Sequence, residues 1–208
     1  FYFKASGKKE KNATGKTING RKYGFDEYGR MNAGWITEAT ASNTSKKDGG
    51  KQGIATYSNT FMNYSTPEDG ARHTKGWFKT TPGYYLQRNK YEDGSDYWYY
   101  ADNNGKLVTN EIKTINGKKY TFNTDGKMQY GWVKDGETQH DDNAWQEADY
   151  YFGDENDGAM AEGWKEISIT DDQAADLQPG DNYWDEDQTR WFYFKASGKK
   201  EKNATGKT

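Results

Sequence analysis

The hydrophobic positions of the chain fall into short segments in which aromatic residues alternate with polar ones, and glycine turns separate these segments. Residues 18–35 read INGRKYGFDEYGRMNAGW, and residues 115–132 read INGKKYTFNTDGKMQYGW. Each segment places Asn-Gly between two alternating stretches, which is a strong hairpin signal because both turn residues need positive φ. The pattern predicts β-hairpins, each followed by a second glycine turn, a Met and Gly-Trp.

Looser copies of this hairpin recur along the chain, with a minimal repeat of about twenty residues. The Gly-Trp position is occupied by Trp35, Trp77, Trp132 and Trp164, and elsewhere by Lys16, Ile112 and Lys207. The longer repeats contain insertions rich in Asp, Asn, Ser, Lys and Gly, which we expect to be surface loops at the hairpin turns. These insertions are Ala39–Gly53, Thr80–Asp96, Lys134–Ala148 and Glu166–Arg190. Helical periodicity is absent apart from a possible single turn at Asp171–Leu177.

A much longer repeat contains the short ones. Residues 1–17 read FYFKASGKKEKNATGKT, and residues 192–208 repeat them without a change, an offset of 191 residues. Identity over so many consecutive residues does not arise by chance. We therefore expect residues 1–191 to be one unit of a tandem array, residues 192–208 to begin the next unit, and 1–208 to form a continuous hairpin-repeat array.

Composition supports an all-β fold that depends on aromatic packing. Hydrophobic residues make up 32% of the chain and aromatic residues 16%, so a layered core of Leu, Ile and Val is excluded, while 24 Gly provide many turns. The absence of Cys excludes disulfides and thiolate sites. The net charge of -3 argues against nucleic acid as a partner. No apolar run is long enough to span a bilayer.

The repeat resembles the cell-wall-binding repeat family in the order of its motifs, which are Gly-Trp, an aromatic strand, Asp-Gly-Lys-Met and a second Gly-Trp. That family includes choline-binding modules, glucan-binding repeats and the receptor-binding repeats of clostridial toxins. The segments that carry the resemblance are Thr17–Ile36, Thr114–Lys134, Tyr150–Lys165 and Trp98–Val108. The resemblance implies a left-handed β-hairpin solenoid, here of about six stacked units with long loop insertions. It also implies ligands held between neighbouring hairpins and a location at the bacterial cell surface.

In choline-binding members, three aromatics form a cage that holds a quaternary ammonium group by cation–π attraction. One comes from Gly-Trp, one leads the following aromatic strand, and one comes from the next hairpin. Two hairpins of this chain hold both of the first two aromatics. One carries Trp77 and Trp98, and the other carries Trp164 and Trp191. Tyr120 is the expected third wall of the first groove. The third wall of the second groove would be the counterpart of Tyr23 in a following long unit. The alternative is that these aromatics only form the core.

Three other hairpins lack the strand-leading aromatic. Lys22, Lys119 and Asp149 stand in the equivalent slots. A Lys in that place would repel a quaternary ammonium group, so we expect these grooves to be empty.

We therefore predict a non-catalytic module that binds teichoic-acid choline or extracellular glucan and uses no cofactor. Two alternatives stay open: a structural stalk or fibre that adds length or self-associates, and an adhesin that binds a protein through its loops. A catalytic role is not favoured, because neither His73 nor His140 has a paired nucleophile nearby in the sequence. Acidic stretches such as Asp154–Asp157 lack the spacing of a calcium loop, so no metal site is predicted.

Overall fold

The computed structural model describes residues 1–37, 61–81, 95–170, 187–203 and 205. Over these ranges the chain forms β-strands and a single helix of 4 residues, which confirms the predicted all-β class. The elements are β1 (Ala13–Ile18), β2 (Arg21–Phe25), β3 (Trp35–Thr37), β4 (Phe61–Asn63), β5 (Gly76–Thr80), β6 (Tyr97–Ala101), β7 (Glu111–Ile115), β8 (Lys118–Phe122), β9 (Gly131–Lys134), β10 (Glu137–Thr138), α1 (Ala144–Glu147), β11 (Tyr150–Phe152), β12 (Gly163–Thr170) and β13 (Asp187–Phe194).

The strands pair locally into small sheets, as a chain of hairpin repeats requires. Five sheets are two-stranded: β1–β2, β3–β4, β5–β6, β7–β8 and β12–β13. In the remaining sheet, β9 lies between β10 and β11. Each sheet thus uses strands that are close in sequence, and the predicted hairpins at the Asn-Gly and Gly-Trp motifs are confirmed.

The Asn-Gly turns at residues 19–20 and 116–117 have the conformation that the sequence predicts. Asn19 and Gly20 have φ of 49° and 80° between β1 and β2. Asn116 and Gly117 have φ of 51° and 82° between β7 and β8. Positive φ at both central residues is the type I′ geometry, whose twist matches that of the flanking strands.

A second turn follows the hairpin and folds a Met back onto its last strand. Phe122, at the end of β8, forms a β-bridge with Met128. The intervening turn is held by the side chain of Asn123, whose Oδ1 accepts a hydrogen bond of 2.9 Å from the backbone N–H of Lys127. The same bridge joins Phe25 to Met31 and Phe152 to Met160. The repeat is therefore a hairpin plus this folded-back segment.

The chain divides into two compact units, the first of which comprises Phe1–Asn110 and Phe122–Met128. Its main core forms where Trp35 of β3 packs on the β5–β6 hairpin. The ring centroid of Trp35 lies 5.9 Å from that of Phe78 and 4.9 Å from that of Tyr99. A smaller buried cluster contains Ile36, Met62 and Tyr64. Aromatic rings are thus the largest buried side chains of these two clusters.

The second unit comprises Glu111–Thr121 and Gln129–Thr208. Trp132 of β9 packs on the β12–β13 hairpin, with ring centroids 5.0 Å from Phe192 and 6.1 Å from Phe194. The other buried members of this core are Ala144, Ala148, Ala161, Ile167 and Ile169. In each unit, a Gly-Trp tryptophan packs on the hairpin that follows it, which is how repeat proteins build a core from neighbours.

Two of the predicted surface loops were wrong in part, because they contribute to this second core. The insertion Lys134–Ala148 contains β10 and α1, and it buries Ala144 and Ala148. One helical turn is too short for hydrophobic periodicity to reveal. The insertion Glu166–Arg190 starts and ends in strand, since β12 continues to Thr170 and β13 begins at Asp187.

The remaining loop predictions are mostly untested. Residues 38–60, which contain Ala39–Gly53, lie outside the described residues, and so does Asp171–Leu177. Only the ends of Thr80–Asp96 are described, and there β5 ends at Thr80 and β6 begins at Tyr97.

We predict that Gly117→Val destabilises the protein by about 1–3 kcal/mol, because a β-branched residue strongly resists positive φ. No atom lies within 4 Å of an added Cβ at Gly117, so backbone strain alone is tested. The matched control is Gly76→Val in β5, where space is also open and the backbone is extended strand. Urea unfolding monitored by Trp fluorescence checks both variants. Equal midpoints for Gly117→Val and the parent protein would contradict the turn assignment.

Candidate functional site

The β5–β6 hairpin carries a cluster of aromatic side chains on one face. Its register pairs Trp77 with Tyr100 and Lys79 with Trp98, and directly opposed residues of a hairpin share a face. The ring centroid of Trp77 lies 5.2 Å from Tyr100 and 6.4 Å from Trp98, both with edge-on geometry. Because strand side chains alternate, the other face of the same hairpin carries the core residue Phe78.

The predicted pair Trp77 and Trp98 is therefore brought together, and both side chains are half-buried. Phe122 covers one side of Trp77, with ring centroids 5.6 Å apart. Among the described residues, the indole Nε1–H of Trp98 is buried and has no hydrogen-bond partner. Because this nitrogen is buried, the ring faces of Trp77 and Trp98, and not the N–H, are what the cluster can offer a ligand. The ammonium of Lys79 lies 5.7 Å from the centre of the Trp98 ring.

The β12–β13 hairpin repeats this arrangement. Its register pairs Trp164 with Tyr193 and Glu166 with Trp191, so these four residues share one face. The ring centroids of Trp164 and Tyr193 lie 5.2 Å apart. Trp164 and Trp191 are 65% and 62% exposed, which is unusual for large aromatic side chains. The second predicted pair is therefore also on one face, and it is much more open than the first.

The third predicted wall of the first groove is not tested. Tyr120 is a half-buried residue of β8 and belongs to the second compact unit, whereas Trp77 and Trp98 belong to the first. Its role as a wall stays a prediction.

A further aromatic cluster, around Trp132, is occupied by a cation of the protein itself. Trp132 is 9% exposed. The ammonium of Lys200 lies 4.8 Å from the Trp132 ring centre and 5.8 Å from that of Phe192, and it donates a hydrogen bond to the carbonyl oxygen of Trp145. Burial, and to a smaller extent the neighbouring charge of Lys202, lower the pKa of Lys200 to about 8, while Asp149 opposes the shift.

Sequence reasoning missed Lys200, although one signal was available. Phe194 bridges Lys200 in the same way that Phe122 bridges Met128, so Lys200 occupies the slot of a buried Met. A Lys at a core position of a repeat indicates a buried charge with a specific partner. Here the partners are aromatic rings and a backbone carbonyl.

The residues that replace the strand-leading aromatic make ion pairs or backbone hydrogen bonds. Lys119 Nζ lies 3.4 Å from a carboxylate oxygen of Glu162. Asp149 pairs with Lys202 at 3.0 Å and with Lys199 at 3.3 Å, and these hydrogen bonds hold its pKa below the usual value. The carbonyl of Lys22 accepts a hydrogen bond of 2.8 Å from the N–H of Arg72.

A groove of about 330 Å³ lies beside one of these slots, within the second unit. Its walls include Lys118, Lys119, Tyr151, Met160 and Glu162. Charged side chains and the single ring of Tyr151 line it, so it lacks the pair of Trp rings that the predicted ligand needs. The expectation that such grooves stay empty is not tested.

Groups with catalytic potential are few in the described ranges. His73 stacks on Phe78 with ring centroids 4.4 Å apart, and burial lowers its pKa. Asp154 holds a turn, accepting hydrogen bonds of 2.8 and 2.9 Å from the N–H groups of Asn156 and Asp157. Within the part of the chain that is described, no three His, Cys, Asp or Glu residues lie close enough to hold a metal ion. No helix in these ranges is long and apolar enough to cross a bilayer.

Comparison with solved structures identifies the fold. Choline binding protein F from Streptococcus pneumoniae, solved with a peptidoglycan analogue, matches 93% of this chain with a TM-score of 0.52 and 22% identity, and the match covers 42% of that protein. The chain has the fold of the choline-binding repeat proteins. The predicted family resemblance is thus supported at the level of the fold.

A second solved structure was also matched. The modular autolysin LytC from Streptococcus pneumoniae, solved with a synthetic peptidoglycan ligand, has a TM-score of 0.49 and 17% identity, and the match covers 97% of this chain and 30% of LytC. The chain therefore spans less than half the length of these choline-binding repeat proteins. No family model matches the sequence, and no curated protein does.

We predict that Lys200→Met changes the pH dependence of stability. The folded state holds the Lys200 pKa near 8, below its ordinary value of 10.5, so between these pH values the unfolded chain binds a proton that the folded chain does not. The free energy of unfolding should therefore rise with pH across this window in the parent protein, and this rise should be reduced in Lys200→Met. At neutral pH the variant should be the more stable, because Met fills this slot without a buried charge.

Chemical unfolding at several pH values between 7 and 10.5 measures the free energy of unfolding of both proteins. The difference between the two values cancels the contribution of other titrating groups. Lys195→Met is the control, since it removes a Lys with an exposed side chain from the same turn. The prediction is contradicted if Lys200→Met is less stable than the parent at neutral pH and its stability has the same pH dependence. Contacts of the ammonium with the rings and the Trp145 carbonyl would then outweigh the cost of burying its charge.

Proposed function

We propose that the chain is a non-catalytic repeat module at a bacterial cell surface, where it holds cell-wall or extracellular ligands on the aromatic faces of its hairpins. The observation that carries the proposal is the repeated triad of one Gly-Trp tryptophan, one strand-leading tryptophan and one tyrosine on a single hairpin face. These triads are Trp77, Trp98 and Tyr100 on β5–β6, and Trp164, Trp191 and Tyr193 on β12–β13.

Ring faces of this kind suit two classes of ligand. A quaternary ammonium group, as in the choline of teichoic acid, is attracted by the ring quadrupole, and a sugar ring can stack through its C–H face. The solved structure of choline binding protein F, which shares the fold, was obtained with a peptidoglycan analogue. That ligand class is in line with a cell-wall partner for this chain.

The two triads differ in charge, which favours different ligands. In the slot opposite the strand-leading tryptophan, β5 carries Lys79 and β12 carries Glu166. A cationic ligand at the first triad would meet the Lys79 ammonium, which already lies 5.7 Å from the Trp98 ring. We propose that the first triad binds a neutral sugar through its ring faces, and that the second binds a quaternary ammonium group beside Glu166.

We further propose that the hairpins stack as a solenoid of about six units, and that residues 1–191 are one long tandem unit. Support comes from the way in which Gly-Trp tryptophans pack on the following hairpin within each compact unit. Such packing also favours a second function, a structural stalk, because a surface that buries rings between repeats can extend without a ligand. The identity of residues 1–17 and 192–208 is in line with recent duplication for length.

We predict that Trp98→Ala weakens binding of dextran and that Trp191→Ala weakens binding of choline by about 2- to 30-fold, because each removes a ring face worth about 0.5–2 kcal/mol. Affinities should be millimolar or weaker per site. Titration of intrinsic Trp fluorescence with each ligand, supported by chemical-shift changes, checks the result. Tyr28→Ala is the control, since Tyr28 is 54% exposed and lies outside both triads. Trp132→Ala is a poor control because Trp132 belongs to the core.

Two outcomes would contradict the proposal in different ways. If both ligands bind and both variants retain affinity, the triads are not the site. If neither choline nor dextran binds the parent protein, the ligand proposal fails and the stalk is favoured.

A further inference from the structure

The groove of about 330 Å³ in the second unit has walls that the backbone of the repeat holds in place. The segment after β11 folds back against β8, where the N–H of Met160 donates a hydrogen bond of 2.8 Å to the carbonyl of Lys119. The N–H of Ala161 donates another, also of 2.8 Å, to the carbonyl of Tyr151. A groove of this volume is at the small end of the range for ligand pockets, so it suits a single small group.

The charged side chains that line this groove are mainly positive. Lys118, Lys119 and Lys165 contribute ammonium groups, and Asp157 and Glu162 contribute carboxylates. Lys118 lies 3.4 Å from Asp157, and Lys119 lies 3.4 Å from Glu162. Lys165, an exposed residue of β12, has no ion pair within the described ranges. These residues therefore leave one positive charge of the groove uncompensated.

The two ion pairs of the groove are loose. Charge-assisted hydrogen bonds between ammonium and carboxylate groups are usually about 2.7–2.9 Å long. Here both distances are 3.4 Å, and the side chains involved are 38–59% exposed. The ammonium of Lys119 is also shared with the carbonyl of Ala196, to which it donates a hydrogen bond of 3.1 Å. Because exposed pairs of this kind contribute little to stability, an incoming anion can replace the carboxylates at small cost.

The matching place in the first unit is closed by a stronger pair. Arg21 follows an Asn-Gly turn as Lys118 does, and Asp69 precedes a Gly as Asp157 does. The guanidinium of Arg21 contacts both carboxylate oxygens of Asp69, each at 2.8 Å. A bidentate pair of this geometry holds both side chains against each other. An ammonium group has no such fork, so the second unit keeps its charges accessible to a ligand.

We propose that this groove is a binding site for an oxyanion, either a phosphate or a carboxylate, held by the ammonium groups of Lys119 and Lys165. A Lys ammonium suits this role because it is a compact charge with several N–H donors. The side chains of Tyr151 and Met160 form an apolar wall beside these charges. Reduced contact with water on that side strengthens the attraction between the ammonium groups and an anion.

This site goes beyond the function proposed above, since it takes a ligand group of the opposite charge to a quaternary ammonium. It is also separate from the aromatic faces. Lys165 is paired with Phe192 in the register of β12–β13, whereas Trp164 is paired with Tyr193. Because side chains alternate along a strand, Lys165 lies on the face of β12 opposite to Trp164. Binding in the groove therefore leaves the triad on the other face accessible.

Titration of the isotope-labelled full chain with glycerol phosphate tests the proposal by NMR. The backbone amides of Gly117 and Gly153, which line the groove, should shift and saturate with millimolar affinity. The affinity should fall as NaCl is added, because salt screens exposed charges. Inorganic phosphate and glutarate are titrated in parallel, with glycerol as the uncharged control. Binding of all three anions supports a general oxyanion site, and binding of the phosphate compounds alone assigns the site to phosphate.

Two substitutions of exposed residues should move the affinity for glycerol phosphate in opposite directions. Lys165→Gln removes the uncompensated charge and should weaken binding by about two- to fivefold. Glu162→Gln releases the Lys119 ammonium from its carboxylate and should strengthen binding by a similar factor. The matched control is Lys113→Gln, which removes a positive charge from β7 of the same unit but outside the groove, and should leave the affinity unchanged.

Three results would overturn the proposal. The first is a parent chain in which none of the anions shifts the amides of Gly117 and Gly153. The second is a Glu162→Gln variant that binds glycerol phosphate less tightly than the parent. The third is a Lys113→Gln variant that weakens binding as much as Lys165→Gln, since net charge alone would then set the affinity. The aromatic faces are tested separately with choline and dextran, so failure of the groove leaves that proposal in place.

Discussion

The structure depends on the contact between a Gly-Trp tryptophan and the hairpin that follows it. A two-stranded hairpin is marginal in water because its single buried face has nothing to cover it. In the first unit Trp35 covers the following hairpin by packing on Tyr99, and in the second unit Trp132 does the same by packing on Phe192. With aliphatic residues scarce, aromatic rings supply the area that such contacts bury. The stability of each hairpin is thereby tied to its neighbour in the chain.

The period of two along each strand separates packing from binding on a single hairpin. In β5, Phe78 points to the core while Trp77 and Lys79 share the other face. In β12, Ile167 and Ile169 point to the core while Trp164 and Glu166 share the other face. A change at a core position therefore affects stability first, whereas the difference in charge between Lys79 and Glu166 lies on the opposite face and leaves the core intact.

The sequence predicts the parts of this structure that local rules determine. The type I′ turns at Gly20 and Gly117 follow from Asn-Gly between two alternating stretches, and the pairing of Trp77 with Trp98 follows from the repeat. What it does not predict depends on contacts made after folding. Helix α1 is one turn long and is held by the burial of Ala144, and the cation in the Trp132 cluster is visible only when Phe192 and Trp145 are in place.

Aromatic faces in this fold can be covered by a following hairpin, by a cation of the chain itself, or by a ligand. The Trp132 cluster is filled by Lys200, and Trp77 is half covered by Phe122, so neither presents a fully open ring. Among the described residues Trp164 and Trp191 have neither covering, and they are 65% and 62% exposed. Of these aromatic faces, the one on β12–β13 therefore leaves the most ring surface for a ligand, because a ring already packed against Phe122 or beside Lys200 offers only its remaining side.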